Sequence, residues 1–402
     1  PETVPLQNWD SYIDLQIEAF KNACYNLDLS GRFLSFTAGI DTRNILAALI
    51  KENIYLTGYT MSCKTISLYS KTAKKLSKAY KMKHEIIVID TEFYRDLPEY
   101  TLQAARLSGG LASVEQASEV YFYKKIHNSY SARVSGNLGN QVGRGGTEKI
   151  SMRNTDISIL NEQISTIERQ KTTEHWYKDA KVTDGTLGYE FLLQNEVPFS
   201  SVSNYSIGNY FTIQQSPYAN RQLIENLQFK PKTEHAEQSL SLTKMRLKDL
   251  KHRFIGEPDI YSFQRRLINK TGGYVASCPI NWGWRAKGGV SLFGLVHGGL
   301  TFLDAITHVK GLNSGLIGRL LKETHITGLH EFRHHTVWMK SYMKEFVCDT
   351  MLSDSVKNSG LFNLKRLTKI LEEYYSNKID HYKILVTALD IALAKQIFKA
   401  KL

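Results

Sequence analysis

Cysteine is scarce in this chain: Cys24, Cys63, Cys278 and Cys348 are the four among 402 residues, far apart and with no C-x-x-C pair. Thiols so placed read as reduced, mostly buried side chains of a cytoplasmic protein. No apolar run approaches the roughly 18–20 residues that a membrane span needs, so no membrane partner is expected. The opening, "PETVPLQNWD", lacks the basic-then-apolar order of a secretory signal. It also lacks a leading methionine, which leaves room for a processed earlier segment. There is no internal repeat and no low-complexity tail. Acidic residues are the minority: 39 against 51 Lys and Arg, a net charge of +12. Such a surface attracts nucleotide, polyphosphate, nucleic acid or an acidic membrane face, or is simply solvated. The lysines are scattered along stretches such as "SKTAKKLSKAYKMK", and no basic tract is interleaved with aromatics. A nucleic-acid partner, whose affinity would fall steeply with salt, is therefore a minor reading.

What is present is an alternation. With 42% apolar and 22% charged residues, the composition is that of a globular protein of one large or two ordinary domains. "SYIDLQIEAFKNAC" sets Ile13, Leu15, Ile17 and Phe20 near one side of a helix. Strand-like "GRFLSF", "IYLTGYTM", "EIIVID" and "SARVS" then alternate with helical "RNILAALIKE", "SLYSKTAKKLSKAY", "RDLPEYTLQAARL" and "SVEQASEVYFYKKIHN". That order predicts an α/β fold built on a parallel sheet. Ligands of such sheets sit beyond the carboxyl ends of the strands. Two turns of small residues lie there. The first, "SFTAGIDTR", carries Ser35, Thr37, Ala38, Gly39, Ile40, Asp41 and Thr42; the second is "SGNLGNQVGRGG", beginning at Ser135 and Gly136. Backbone N–H groups and hydroxyls before a helix N-terminus suit an anion, and a carboxylate among them suits a cation that the anion also touches. From about residue 147 the chain is polar and mostly helical; beyond 225 it is irregular, with "GGYVASCPINWGWRAKGG" reading as a loop. The end, from "HTVWMKSYMKEFVCDTML" through "HYKILVTALDIALAKQIF", is helical.

At this point the residues resemble a known family. Thr37-Ala38-Gly39-Ile40-Asp41-Thr42 is similar to the pyrophosphate loop S-G-G-x-D-S of the ATP pyrophosphatases. The second turn resembles the S-G-E-G-S-D-E-x-x-G-G segment of the asparagine synthetases, relatives of the β-lactam synthetases and lasso-peptide cyclases. "QQSPYANRQLIENL" resembles that family's R-x-P-F-L-D segment, and the chain from "LFNLKRLTKIL" onward its terminal helices. The resemblance implies a nucleotide-binding parallel sheet of ATP-pyrophosphatase type with additional C-terminal helices. It divides the chain into a helical segment at 1–27, the nucleotide-binding core at 28–225 and a mainly helical part at 226–402. It implies amide formation: a carboxylate attacks the α-phosphorus of ATP, and ammonia or an amine displaces AMP from the acyl-adenylate.

Carried over by position, the resemblance makes Asp41 a Mg²⁺ ligand, with Thr37, Ala38, Gly39, Ile40 and Thr42 around the phosphates. Ser35 and Met61 would lie near the nucleoside, and Ser135 and Gly136 would line the same pocket. The catalytic lysine of the family falls on Lys287, in "RAKGGV", or on Lys270 before "TGGY". The family's proton-transfer Glu aligns with Asn137, its second Mg²⁺ ligand with Asn140 and the next acid with Gln141; Gln215 and Asn220 replace the Arg and Asp of the R-x-P-F-L-D segment. An Asn carbonyl can touch Mg²⁺ but brings no charge, and an amide is no base at neutral pH. Two accounts follow: an active synthetase that draws its second ligand and base from elsewhere, or a scaffold that binds nucleotide or a protein partner without adenylating. No glutaminase fits before the first strand, so the resemblance implies ammonia, an amine on the substrate, or nitrogen from a separate glutaminase or partner. The carboxylate, a small molecule or a peptide, is not legible. Plainer readings stand beside these: Asp41 as a helix cap, the second turn as a loop with no ligand, Trp282 and Trp284 as core anchors, Arg144 as solvated, and His330, His334 and His335 as packing residues without a metal.

Overall fold

The computed structural model describes residues 8–27, 30–37, 39–62, 68–126, 129–139, 142, 159–162, 202–229, 231, 262–280, 285–289, 291, 292, 295 and 335–398. Its centre is a five-stranded sheet of order β3-β2-β1-β4-β5. The strands are β1 (Arg32–Ser35), β2 (Thr57–Ser62), β3 (His84–Val88), β4 (Ala132–Val134) and β5 (Ile213–Gln215), and every neighbouring pair is parallel. The α/β class and the parallel sheet expected from the alternation are what the chain forms. Phe33 and Leu34 show why: adjacent in β1 and both wholly buried, they face opposite sides and join different cores. A strand covered on both faces has no polar side to alternate with.

One face is covered by α1 (Trp9–Tyr25), α2 (Ile40–Lys51), α3 (Leu68–Ala79) and a helix from much later in the chain, Ser262–Thr271. Phe20, Phe36, Ile45, Leu49, Tyr218, Phe263 and Leu267 pack there. α1 starts at Asn8, whose side chain accepts the Asp10 N–H at 2.8 Å, satisfying one of the orphan donors of its first turn. The other face is covered by α4 (Thr91–Arg95), α5 (Leu97–Leu107) and α6 (Ala117–Ile126), and by helices of the C-terminal part, His335–Tyr342, Lys344–Met351, Leu364–Tyr375 and Tyr382–Phe398. The aromatic residues of this layer, Phe93, Tyr100, Tyr121 and Trp338, meet edge-on or stacked.

Two elements differ from the sequence expectation. β5, Ile213-Gln214-Gln215, has no strand pattern of its own; it forms because the outer edge of β4 pairs with it, Ala132 opposite Ile213 and Val134 opposite Gln215. Within "GGYVASCPINWGWRAKGG", expected as a loop, Gly273–Ser277 is a short helix, entered through Gly272 and Gly273 at φ +73° and +61°. Only glycine adopts such angles at little cost. The polar stretch expected to be helical from 147 lies almost wholly outside the described residues, as do Trp282, Trp284, Arg144, His330 and His334. Among the described residues no helix is long and apolar enough to cross a membrane.

Two outcomes follow from this packing. Phe263 is 4% exposed and touches Phe20 and Tyr218, so Phe263→Ala costs about 3–5 kcal/mol, read as a lower urea midpoint of the whole chain. An unchanged midpoint would mean that this late helix is no part of the sheet's core. Asp390, in the last helix, accepts the Ser113 hydroxyl and is pushed up to about 7 by burial, with the Glu115 charge adding to it. A carboxyl that is protonated when folded and ionised when unfolded makes stability fall as pH rises from about 4 to about 7. Thermal unfolding of Asp390→Asn is expected to lack that decline between pH 5 and 7.

Candidate active site

The chain order fixes where a ligand can enter. From β1 the sheet grows outward through β2 to β3, then resumes on the opposite side of β1 with β4. The crevice between the carboxyl ends of β1 and β4 is thus the switch point at which open α/β sheets bind ligands. The turns after β1 and β4 are the two small-residue turns of the sequence.

In the first, the N–H of Phe36 donates to the Tyr59 carbonyl at 2.7 Å, carrying β1 one residue past its end. α2 then begins at Ile40 with Gly39 as its N-cap, which offers backbone and no side-chain oxygen. The Thr42 hydroxyl lies 3.5 Å from both the Gly39 carbonyl and the Thr37 hydroxyl. Two hydroxyls, the first turn of a helix and a carboxylate therefore gather at one end of the sheet, and the helix end itself favours negative charge. Ala38 lies outside the described residues.

The second turn leaves β4 at Ser135, buried, with its N–H on the Gln215 carbonyl at 2.9 Å. Gly139 N–H closes on the Gly136 carbonyl at 3.0 Å, with Leu138 in the left-handed region at φ +65°. This turn sits directly on the first. A Cβ at Gly136 would come within 2.8 Å of Asp41 Cβ and 3.2 Å of the Thr42 nitrogen; one at Gly139 would be 2.5 Å from Asp41 Cγ. The glycines are required by close approach, and what approaches is the aspartate. The N–H of Asn137 faces Ser135 Oγ at 3.4 Å and its carbonyl accepts the Ser216 hydroxyl at 2.5 Å. Asn140 and Gln141 are outside the described residues.

Beneath both turns lies a buried polar floor that the sequence reading missed. Gln264, wholly buried in the helix Ser262–Thr271, donates from Nε2 to Asp41 Oδ1 at 2.6 Å and lies 3.3 Å from the Tyr218 hydroxyl. That hydroxyl donates to the Asp41 carbonyl at 3.2 Å and accepts from Asn44 Nδ2 at 3.3 Å. Burial, and then the Asp41 charge, keep the Tyr218 phenol protonated far above its ordinary range. Next to this, Arg43 is fully buried and donates to the carbonyls of Cys278 and Pro279, the latter at 2.9 Å. Burial pushes it down to about 10, which still leaves it charged near neutrality. Arg265 and Asn269, on the same helix as Gln264, both donate to the Ala286 carbonyl, at 3.3 and 2.9 Å. One helix thereby joins Asp41 to the turn 285–289.

Of the residues expected at the site, the structure brings Thr37, Gly39, Asp41, Thr42, Ser135, Gly136 and Asn137 together, with Ile40 opening α2. Ser35 is on the other face of β1, its hydroxyl accepting from Arg133 at 2.9 Å; Met61 is buried in the core of that same face. Arg133 is in turn held by Glu119 at 2.7 Å. Lys287 is exposed on the turn next to Ala286. Lys270 points its ammonium at Asp14 of α1, 2.8 Å away, on the outer surface. Asn220 caps a short helix by accepting the Leu223 N–H at 3.2 Å. A signal for Gln264 was present: it shares a helical face with the buried Leu267 and Ile268, where an apolar residue is expected. Among the described residues no group of three or more His, Cys, Asp or Glu could hold a metal by itself. Asp41 with neighbouring hydroxyls fits Mg²⁺ in its usual manner, one carboxylate and the rest from phosphate and water.

No protein-family model matches the chain, and no curated protein matches it. Among the solved structures that match is the NMN synthetase from Francisella tularensis, 11% identical, with 66% of this chain and 96% of that one covered and a TM-score of 0.25. Gly136→Ala and Gly139→Ala are expected to lower stability by about 1–3 kcal/mol each, in chemical denaturation, because Asp41 and the Thr42 backbone leave no room.

Proposed function

We propose that this chain is an ATP-dependent, amide-bond-forming synthetase of the asparagine-synthetase type. The observation that carries the reading is the contact of the two turns: Gly136 and Gly139 are packed onto Asp41 at the switch point of a parallel sheet. In this reading the N–H groups of α2's first turn and the hydroxyls of Thr37 and Thr42 bind the phosphates. Asp41 would hold Mg²⁺, which supplies neutralisation of the leaving pyrophosphate when bound with the nucleotide. A carboxylate oxygen of the substrate attacks the α-phosphorus; its O–P bond forms as the bond to pyrophosphate breaks. Ammonia or an amine then attacks the acyl carbon, AMP leaves with the C–O electrons, and nitrogen gives up a proton. Asn137 cannot take that proton near neutrality, so the base comes from the substrate or another group. Lys287 is the better candidate for charge stabilisation, because its turn is tied to the Gln264 helix while Lys270 is paired with Asp14. The carboxylate is a small molecule or peptide, and the nitrogen comes from ammonia, a substrate amine, or a separate glutaminase.

A second reading, a nucleotide-binding protein that does not adenylate, is favoured by one feature, the amide at Asn137 where proton transfer needs an acid or base. Calorimetric titration of ATP with and without Mg²⁺ tests the common part. Wild type is expected to bind in a metal-dependent way and Asp41→Ala to lose at least about tenfold in affinity. Absence of binding at millimolar ATP sinks both readings. AMP and pyrophosphate release across a panel of carboxylates with ammonia separates them, the first reading requiring release and the second none.

A further inference from the structure

Gln264 does something that its place in the core does not ask of it. Its side chain is wholly buried, and Nε2 faces three oxygens: Asp41 Oδ1 at 2.6 Å, Tyr218 Oη at 3.3 Å and the Gly139 carbonyl at 3.5 Å. Those acceptors fix the amide with nitrogen toward Asp41, since the reversed amide would set an oxygen against them. Its own Oε1 is buried without a hydrogen-bond partner among the described residues. Burying an unsatisfied amide oxygen costs stability, and Phe263 and Leu267 beside it show that an apolar side chain suits the position's surroundings. We infer that Gln264 is a positioning residue for Asp41, holding Oδ1 by an uncharged donor so that the carboxylate is aimed while keeping its charge for a cation. This rests on the reading that Asp41 holds Mg²⁺ together with ATP.

Charge selects the residue type. A Lys or Arg at 264 would neutralise Asp41 and compete with a divalent cation. A Leu or Met would leave Oδ1 without this donor. A Glu would set two carboxylates against each other, which binds a proton or a cation. Of these side chains only the amide both donates and leaves the charge of Asp41 unchanged, as outer partners of metal-binding carboxylates do. The same atom also touches Gly139, so one nitrogen links the first turn to the second.

The test uses the whole chain with Q264M and Q264E. Titrating ATP in Mg²⁺ and in EDTA, Q264M is expected to lose about tenfold in affinity with Mg²⁺ and to match wild type in EDTA. Equal losses in both media would show a merely structural role and overturn the inference, as would no loss in either. Q264E keeps the question open to measurement if Q264M does not fold. With Mn²⁺ alone, followed by electron paramagnetic resonance, Q264E is expected to bind more tightly than wild type. No gain with Mn²⁺ overturns the inference. If wild type itself shows no Mg²⁺-dependent ATP binding, the functional reading fails and this inference with it; if wild type binds and only the Gln264 variants behave like wild type, the functional reading stands and this inference alone is wrong.

Discussion

Asp41 is pressed by two missing side chains. At Gly136 and Gly139 any Cβ would overlap the aspartate, and at Gly136 the Thr42 backbone as well. The turn after β4 can therefore lie flat on the turn after β1 only while these positions are glycine. That contact closes the two turns onto each other beyond strands whose spacing the β1–β4 ladder sets. It also makes the half-buried carboxylate part of a packed layer. A carboxylate in such a layer needs donors, since desolvation without them is costly, and Gln264 supplies one from below while the Tyr218 hydroxyl secures the backbone of the same residue.

The helix Ser262–Thr271 is the strap that the site hangs from. Its apolar residues Phe263, Leu267 and Ile268 seat it in the core formed by α1 and α2, and its polar ones reach two separate places. Gln264 goes to Asp41; Arg265 and Asn269 go to the Ala286 carbonyl. Arg43, the next residue but one after Asp41, reaches the carbonyls at 278 and 279 that lie between those places. Its two hydrogen bonds staple α2 to the segment leading toward Lys287. Late chain and early chain thus form one polar floor.

The strand-and-helix alternation, the two turns and Asp41 were legible in the sequence because each is a local matter: apolar runs bounded by small residues, and a carboxylate at the start of a helix. Ser135, Gly136 and Asn137 could be placed near Asp41 because a parallel sheet puts successive turns at one end. β5 was not legible, since Ile-Gln-Gln carries no period of two and is a strand only through β4. The short helix at Gly273–Ser277 hid behind glycines that usually mark a loop; here two left-handed residues turn the chain into it. Gln264 and Tyr218 were missed for a different reason. Each stands in an apolar setting far along the chain, and nothing local says which early carboxylate or carbonyl it will meet. Lys270 shows the converse: a lysine before a Gly-Gly pair has catalytic looks in one dimension and an Asp14 partner in three.

By itself the sequence determined the class of fold, the order of its elements and the chemistry available at two turns, because hydrophobic period, glycine placement and residue type act within a few positions. The tertiary structure alone decided that the two turns touch, that the touching groups are two glycines and Asp41, and that a glutamine from a late helix holds the carboxylate. Those are outcomes of strand order and helix packing, which bring together residues with no local relation to one another.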